Sequence, residues 1–197
     1  MNKLILALAM FAIVSATAFA DTIVSDTTTE YYDGSSWASA ALAWVHPSWP
    51  SITGANWIWN SYYVSANESY YGATYDFRRG FELPACATNI TGTIDITCDN
   101  EFSVSVNGNS IGSGNAWSTI YHFDISSALT AGSNEFEFTA TNLGNQQTNP
   151  QNNPGAFIYS ASIDYDCEEP AVPEFGTVAA LIALAGAATG FFVLRKQ

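Results

Sequence analysis

Positive charge is what this sequence has least of. Five Lys and Arg residues stand against 18 Asp and Glu in 197 residues, a formal net charge of −13. Lys3, Arg195 and Lys196 sit at the chain ends, so residues 21–173 keep only Arg78 and Arg79 against 17 acids, a net charge near −15. Such a field repels polyanions and excludes a binder of nucleic-acid backbones. It favours solubility at a crowded surface, and clustered carboxylates and amide oxygens also suit calcium. Histidine is nearly as scarce. His46 and His122 are the only two, and neither stands in a metal-ligand or nucleophile pattern, so zinc and triad chemistry are not indicated. The acid pairs Asp164/Asp166 and Asp99/Glu101 are of the type a glycosidase uses, but neighbouring carboxylates are expected on so acidic a surface without any chemistry. The reading is non-enzymatic, with a glycoside hydrolase held in reserve.

Cysteine is limited to three, Cys86, Cys98 and Cys167. Cys98 shares parity with Ile94 and Ile96 and reads as a small core residue. Cys86 follows one strand and Cys167 closes the last, so these two are the expected disulfide of an exported chain.

Long apolar runs occur only at the ends. Lys3 precedes the run Leu4 to Val14, and Ala18-Phe19-Ala20 offers a small-x-small site for signal peptidase, which places the mature start at Asp21. At the other end, Phe175 to Leu194 is 20 uncharged residues, enough to span about 30 Å of hydrocarbon. Arg195 and Lys196 behind it favour the cytoplasmic side. The order Pro173-Glu174-Phe175, apolar helix, basic cluster resembles the PEF-CTERM sorting tail of archaeal surface proteins. That resemblance implies an archaeosortase-type membrane transpeptidase, cleavage near Pro173-Glu174-Phe175, and transfer of the ectodomain to a lipid or other surface component. An uncut transmembrane helix is the alternative. The expected layout is a signal peptide over 1–20, a polar lead-in or first strand over 21–36, a β domain over 37–167, a stalk over 168–173 and the sorting helix with its basic end over 174–197.

Between the ends the dominant period is two. Phe77, Phe81 and Leu83 alternate with Arg78, Gly80 and Glu82; Phe136, Phe138 and Ala140 alternate with Glu135, Glu137 and Thr139; Phe157 to Tyr165 repeats the pattern. Turn residues separate these runs at Asp99-Asn100, Asn107-Gly108, Ser113-Gly114-Asn115 and Ala131-Gly132-Ser133. The spacing predicts a hairpin from Ile94 to Val106 about Asp99-Asn100, a short helix over Ala38 to Trp44, and an exposed loop over Thr148 to Pro154. With no βαβ rhythm, the fold class is all-β, an antiparallel sandwich or jelly roll.

Ala55-Asn56-Trp57-Ile58-Trp59, Phe77 to Pro84, Ile94 to Glu101 leading to Val104-Ser105-Val106-Asn107-Gly108, Leu129 to Asn134 with Phe136 to Asn142, and the closing strand from Phe157 together resemble the galactose-binding-like jelly roll. Cys98 departs from the small residue usual there. The resemblance implies a carbohydrate or other surface ligand, and a structural calcium near the ends of the sandwich for which Asp164 and Asp166 are the candidates.

Six tryptophans invite a sugar platform, because a sugar ring presents an apolar C–H face. Trp57 and Trp59 share a strand face and read as core. Trp117 lies in the predicted loop from Asn107 to Ser118 and is the candidate platform, with Asn115, Tyr121 and Asn142 as neighbours. The pairs Tyr31/Tyr32, Tyr62/Tyr63 and Tyr70/Tyr71 each put one ring on either face of an extended segment, where they would meet protein partners. Arg78 and Arg79 read as surface ion pairs with Asp76 or Glu82. Asn67-Glu68-Ser69 and Asn89-Ile90-Thr91 are glycosylation sequons. The expected role is an exported, surface-anchored module for extracellular glycan, or a structural protein contacting surface proteins. N-terminal sequencing of the exported protein checks the leader: the chain should begin at Asp21, and a chain that still carries Thr17 to Ala20 contradicts it.

Overall fold

A computed structural model describes residues 17–167; the predicted leader up to residue 16 and the stalk and tail from residue 168 onward lie outside the described residues. Among the described residues no helix is long and apolar enough to cross a membrane. The elements are β1 (Thr17–Val24), β2 (Glu30–Tyr32), β3 (Trp37–Ser39), β4 (Ala41–Leu42), β5 (Ile58–Trp59), α1 (Ala66–Tyr71), β6 (Gly72–Leu83), β7 (Ala87–Asp99), β8 (Glu101–Val106), β9 (Asn109–Gly114), β10 (Tyr121–Asp124), β11 (Gly132–Leu143) and β12 (Ala156–Cys167).

They form two antiparallel six-stranded sheets. One runs β10-β7-β12-β5-β4, with β1 also paired to β12; the other runs β3-β2-β6-β11-β8-β9. The alternation seen in the sequence is the cause. Phe77, Phe136, Phe138 and Ala140 point inward from one sheet, and Ile94, Ile96, Cys98, Phe157, Tyr159, Ala161 and Ile163 from the other, all nearly or fully buried. Phe138 stacks on Tyr159 at 4.5 Å and Phe77 meets Phe157 at 4.6 Å, so the layers join through aromatic rings.

Three expectations are corrected. Asp99-Asn100 is not a hairpin turn: β7 pairs with β10 and β12, whereas β8 pairs with β9 and β11. The chain turns a corner between sheets, held by Asn100 N–H donating to Thr141 O and Leu143 N–H donating to Asn100 Oδ1, each at 2.7 Å. Both strands therefore aim their apolar faces into one core instead of lying side by side. Ala38 to Trp44 is not helical, because Trp37–Ser39 pairs with β2 and Ala41–Leu42 with β5, and Ala40 N–H bonds to Thr29 O. The stretch Asn107 to Ser118 is not one loop: Asn109–Gly114 form strand β9, and the loop that carries Trp117 begins at Asn115.

Residues 21–36 contribute to both sheets, through β1 and β2. Ala18-Phe19-Ala20, the predicted cleavage motif, pairs with Asp166-Tyr165-Asp164 of β12. The six-residue helix α1 begins at a capping box: the Ser65 hydroxyl accepts from Glu68 N–H, and the Glu68 carboxylate accepts from Ser65 N–H.

Cys86 and Cys167 are disulfide-bonded, with Cα atoms 5.1 Å apart and a sequence separation of 81; Cys98 is a free, buried thiol. Arg78 pairs with Glu30 at 2.8 Å and Arg79 with Asp26 at 3.4 Å, not with Asp76 or Glu82, because β2 and its approach lie beside β6. Closing a loop of that length removes much freedom from the unfolded chain, so replacing both Cys86 and Cys167 with Ser should cost about 4 kcal/mol in a denaturant titration. A loss below about 1 kcal/mol would show that the bridge contributes little.

Candidate functional site

One end of the sandwich carries a cleft of about 210 Å³ lined by His46, Trp49, Asp99, Asn100, Trp117 and the run Gln151 to Pro154. Each side is held from the core. Thr97, fully buried on β7, donates its hydroxyl to Ala116 O at 3.3 Å and Trp117 O at 3.2 Å, which fixes the loop that carries the Trp117 ring. Trp49 stacks on the buried Trp57 at 4.2 Å, and Trp57 Nε1–H donates to Pro50 O at 3.1 Å. The turn His46-Pro47-Ser48-Trp49 closes with Trp49 N–H on His46 O at 3.0 Å. Ser48 N–H donates to His46 Nδ1 at 3.2 Å. In the neutral imidazole Nε2 is then the donor. The His46 ring lies 6.4 Å from Trp117 and 6.2 Å from Trp49.

Asp99 is the charged side chain of the cleft. It is 8 % exposed and accepts one side-chain bond, from Trp49 Nε1–H to Oδ2 at 3.0 Å. Desolvation, only partly offset by the Trp49 bond, pushes its carboxyl up to about 6. The floor is thus a carboxylate beside an indole, and the rim is amide. Asn153 anchors that rim, donating to Ser69 O at 2.9 Å and Leu143 O at 2.8 Å, while Gln151 and Asn152 stay exposed.

The predicted neighbours of Trp117 fall elsewhere. Asn142 is fully buried on the inward face of β11 and donates to Asn153 O at 3.3 Å, so it supports the rim from beneath and offers no surface. Asn115 and Tyr121 line a separate depression with Glu101 and Phe102, where Asn115 N–H bonds to the Tyr121 hydroxyl at 3.2 Å. Sequence reading missed His46, Trp49, Asp99 and Gln151. The signal for them was the density of Trp and Pro between residues 44 and 59 and the amide-rich run after Gly144.

Other expected sites are placed as follows. Asp164 is exposed on β12 and Asp166 accepts from the Asn89 amide at 2.8 Å; among the described residues no group of three His, Cys, Asp or Glu side chains is placed to hold a metal ion. Asn67 is exposed on α1, whereas Ser69 of its sequon is buried; Asn89 is exposed. Tyr62 and Tyr63 are both exposed, and Tyr70 and Tyr71 lie on a helix, so neither pair alternates between faces.

A wider groove of about 340 Å³ crosses the outer face of the second sheet past Trp37, Asp76, Arg78 and Glu137. Its one exposed indole is occupied: the Arg78 guanidinium sits 4.3 Å over the Trp37 ring. Asp76 and Glu137 accept bonds from Thr139 and Ser105. The end cleft, whose Trp117 ring carries no cation over it among the described residues, is the better candidate.

No family model and no curated protein matches the chain. Among solved structures it is similar to an FMN-binding beta-glucuronidase from Facaelibacterium prausnitzii (16% identity, TM-score 0.46), an alpha-L-rhamnosidase from Streptomyces avermitilis complexed with L-rhamnose (21%, 0.46) and a lectin from Pleurotus ostreatus in complex with GalNAc (20%, 0.44). The matches cover 73%, 71% and 74% of this chain, which spans only 23%, 17% and 39% of theirs. At these identities and scores the likeness carries no argument about function.

The raised Asp99 carboxyl has a consequence for stability. An unfolded Asp loses its proton near 3.8 and the folded one near 6, so the native state binds more protons between those values and stability falls as pH rises through them. Asp99→Asn keeps an acceptor for Trp49 and cannot ionise. It should be the more stable protein at neutral pH, by roughly 2–3 kcal/mol, and nearly equal to the parent below about pH 4. Thermal melts at both pH values check this; equal melting at neutral pH contradicts a destabilising charge.

Proposed function

We propose that this protein is a non-catalytic, exported surface module whose end cleft binds a neutral carbohydrate. The observation that carries the reading is the make-up of the cleft: two indoles and an imidazole, one largely desolvated carboxylate and an amide rim, with no Lys or Arg among the lining residues. Sugar rings pack C–H faces on aromatic rings and share hydroxyls with amides and carboxylates, and the carboxylate would repel an anionic sugar. The volume is below the ~300–1,000 Å³ of pockets for drug-sized ligands and suits a single ring. Asp99 stands alone in the cleft, whereas glycoside hydrolysis uses a pair of carboxyl groups, which favours binding over cleavage.

The sandwich is read as galactose-binding-like, and the ends as leader and sorting tail processed by signal peptidase and an archaeosortase-type transpeptidase. Ala156 lies opposite Asp99 at the cleft, and Cys167, where the chain continues toward the tail, lies opposite Ala87 at the far end of β12. Twelve residues at ~3.3 Å each hold the cleft about 36 Å from that exit. The second reading, a structural surface protein, is favoured by the exposed Tyr62, Tyr63 and Tyr71.

A glycan array probed with the full chain, with and without calcium, tests the reading. Selective binding of neutral glycans should be weakened at least about tenfold by Trp117→Ala, with the melting temperature unchanged. A folded protein that binds no glycan, or binds one equally well without Trp117, overturns it in favour of a structural role.

A further inference from the structure

The cleft opens onto a line of rings that a single sugar would leave unused. His46, on the cleft wall, lies 5.9 Å from Trp44; Trp44 lies 6.2 Å from Tyr63, and Tyr63 lies 4.7 Å from Tyr62. Tyr63 is 42% exposed and Tyr62 55%, so the line emerges from the cleft onto the surface. Two backbone segments build it, and they are tied together. Trp44 N–H donates to Tyr62 O at 2.7 Å, the Ser61 hydroxyl donates to Tyr63 O at 2.7 Å, and Gln151 of the cleft rim reaches the Tyr63 hydroxyl at 3.5 Å. A ridge ordered before binding loses little freedom when it is covered.

Charge separates the occupants that could cover it. Between Asp33 and Glu68 there is no Asp, Glu, Lys or Arg, in a chain that is otherwise strongly acidic. A protein drawn to this chain by its charge would seek carboxylates, and the ridge has none. What it offers is rings and hydroxyls in series, set 77° apart between His46 and Trp44, 31° between Trp44 and Tyr63 and 80° between Tyr63 and Tyr62, a mix of faces and edges that a polymer of uncharged sugar rings can contact repeatedly.

We infer that cleft and ridge form one extended site for a neutral oligosaccharide chain, its terminal ring against Trp117 and successive rings along Trp44, Tyr63 and Tyr62. The inference rests on the carbohydrate reading of the cleft and adds the class of ligand, a chain and not a lone monosaccharide. The exposed rings and hydroxyls of Tyr62 and Tyr63 then serve glycan recognition instead of protein contact.

Calorimetric titration of the full chain tests it with glucose, galactose, mannose and N-acetylglucosamine, each as monomer and as linear oligomers up to the hexamer. In at least one series affinity should rise with length, by about tenfold or more from monomer to tetramer. Tyr62→Ala should remove most of that gain while leaving monomer affinity unchanged; Tyr63→Phe, which keeps the ring, should retain more of the gain than Tyr63→Ala, and Trp117→Ala should weaken every member. Both tyrosines are exposed, and equal melting temperatures would confirm folded variants. Monomer binding that depends on Trp117 but gains nothing with length overturns the extended site and leaves the cleft reading intact. A length gain indifferent to both tyrosines also overturns it. Absence of any sugar binding, or retention of a protein partner through the same tyrosines with no glycan bound, overturns the cleft reading and the inference together.

Discussion

One aromatic layer determines where everything else sits. Phe138 of β11 lies stacked on Tyr159 of β12, and Phe77 and Phe138 both reach Phe157 on the same strand. β12 is also the strand on which β1, β5 and β7 assemble. The contact that joins the sheets therefore fixes the strand that orders one of them. Burying four large rings contributes several kcal/mol of transfer free energy, more than any polar contact at the surface. Tyr159 remains compatible with this layer because its hydroxyl meets Thr29 Oγ1 at 2.9 Å. Shifting β12 by one residue would turn Phe157, Tyr159, Ala161 and Ile163 to solvent, so its register is strongly held.

The cleft inherits its geometry from that register. Ala156 opposite Asp99 brings the end of β7 beside the start of β12; the loops that leave β7 and enter β12 supply Asn100, Gln151 and Pro154, and the β9–β10 loop, held by Thr97 of β7, supplies Trp117. Trp49 is the hinge between core and site, packed on Trp57 on one side and bonded to Asp99 on the other. Nearly all of the hydrophobic stabilisation lies behind this point, which lets the cleft hold a carboxylate whose charged form is disfavoured. A group kept in place at a cost to stability is a mark of a binding site more than of a framework.

Much of the fold could be read from the sequence because two-residue alternation is a direct image of a half-buried strand, as Phe136 to Ala140 and Phe157 to Ile163 show. The corner at Asp99-Asn100 could not. A hairpin and a crossing between sheets both read as alternating run, turn and alternating run, and only the pairing partners, fixed by distant β11 and β12, tell them apart. The site was partly legible. Trp117 stands out as an indole among turn residues, but His46 and Gln151 on loops and Asp99 at the end of β7 are far apart in sequence, and only tertiary structure brings them together. Asn142 was a misreading that parity alone would have prevented, since it continues the inward series Phe136, Phe138, Ala140. Tyr31 and Tyr32 lie on an extended strand as their sequence suggests, whereas the capping box at Ser65 and Glu68 marks the helix that carries Tyr70 and Tyr71.

The central claim is that a neutral sugar sits against Trp117 at the end of the sandwich. The most direct test is a nitrogen-15 correlation spectrum of the six tryptophan indole N–H groups, followed as a neutral monosaccharide is titrated in. Binding in the cleft predicts saturable shifts for Trp117 and Trp49, with Trp37 and the deeply buried Trp59 unmoved. Shifts confined to Trp37, or none at any indole, would contradict it.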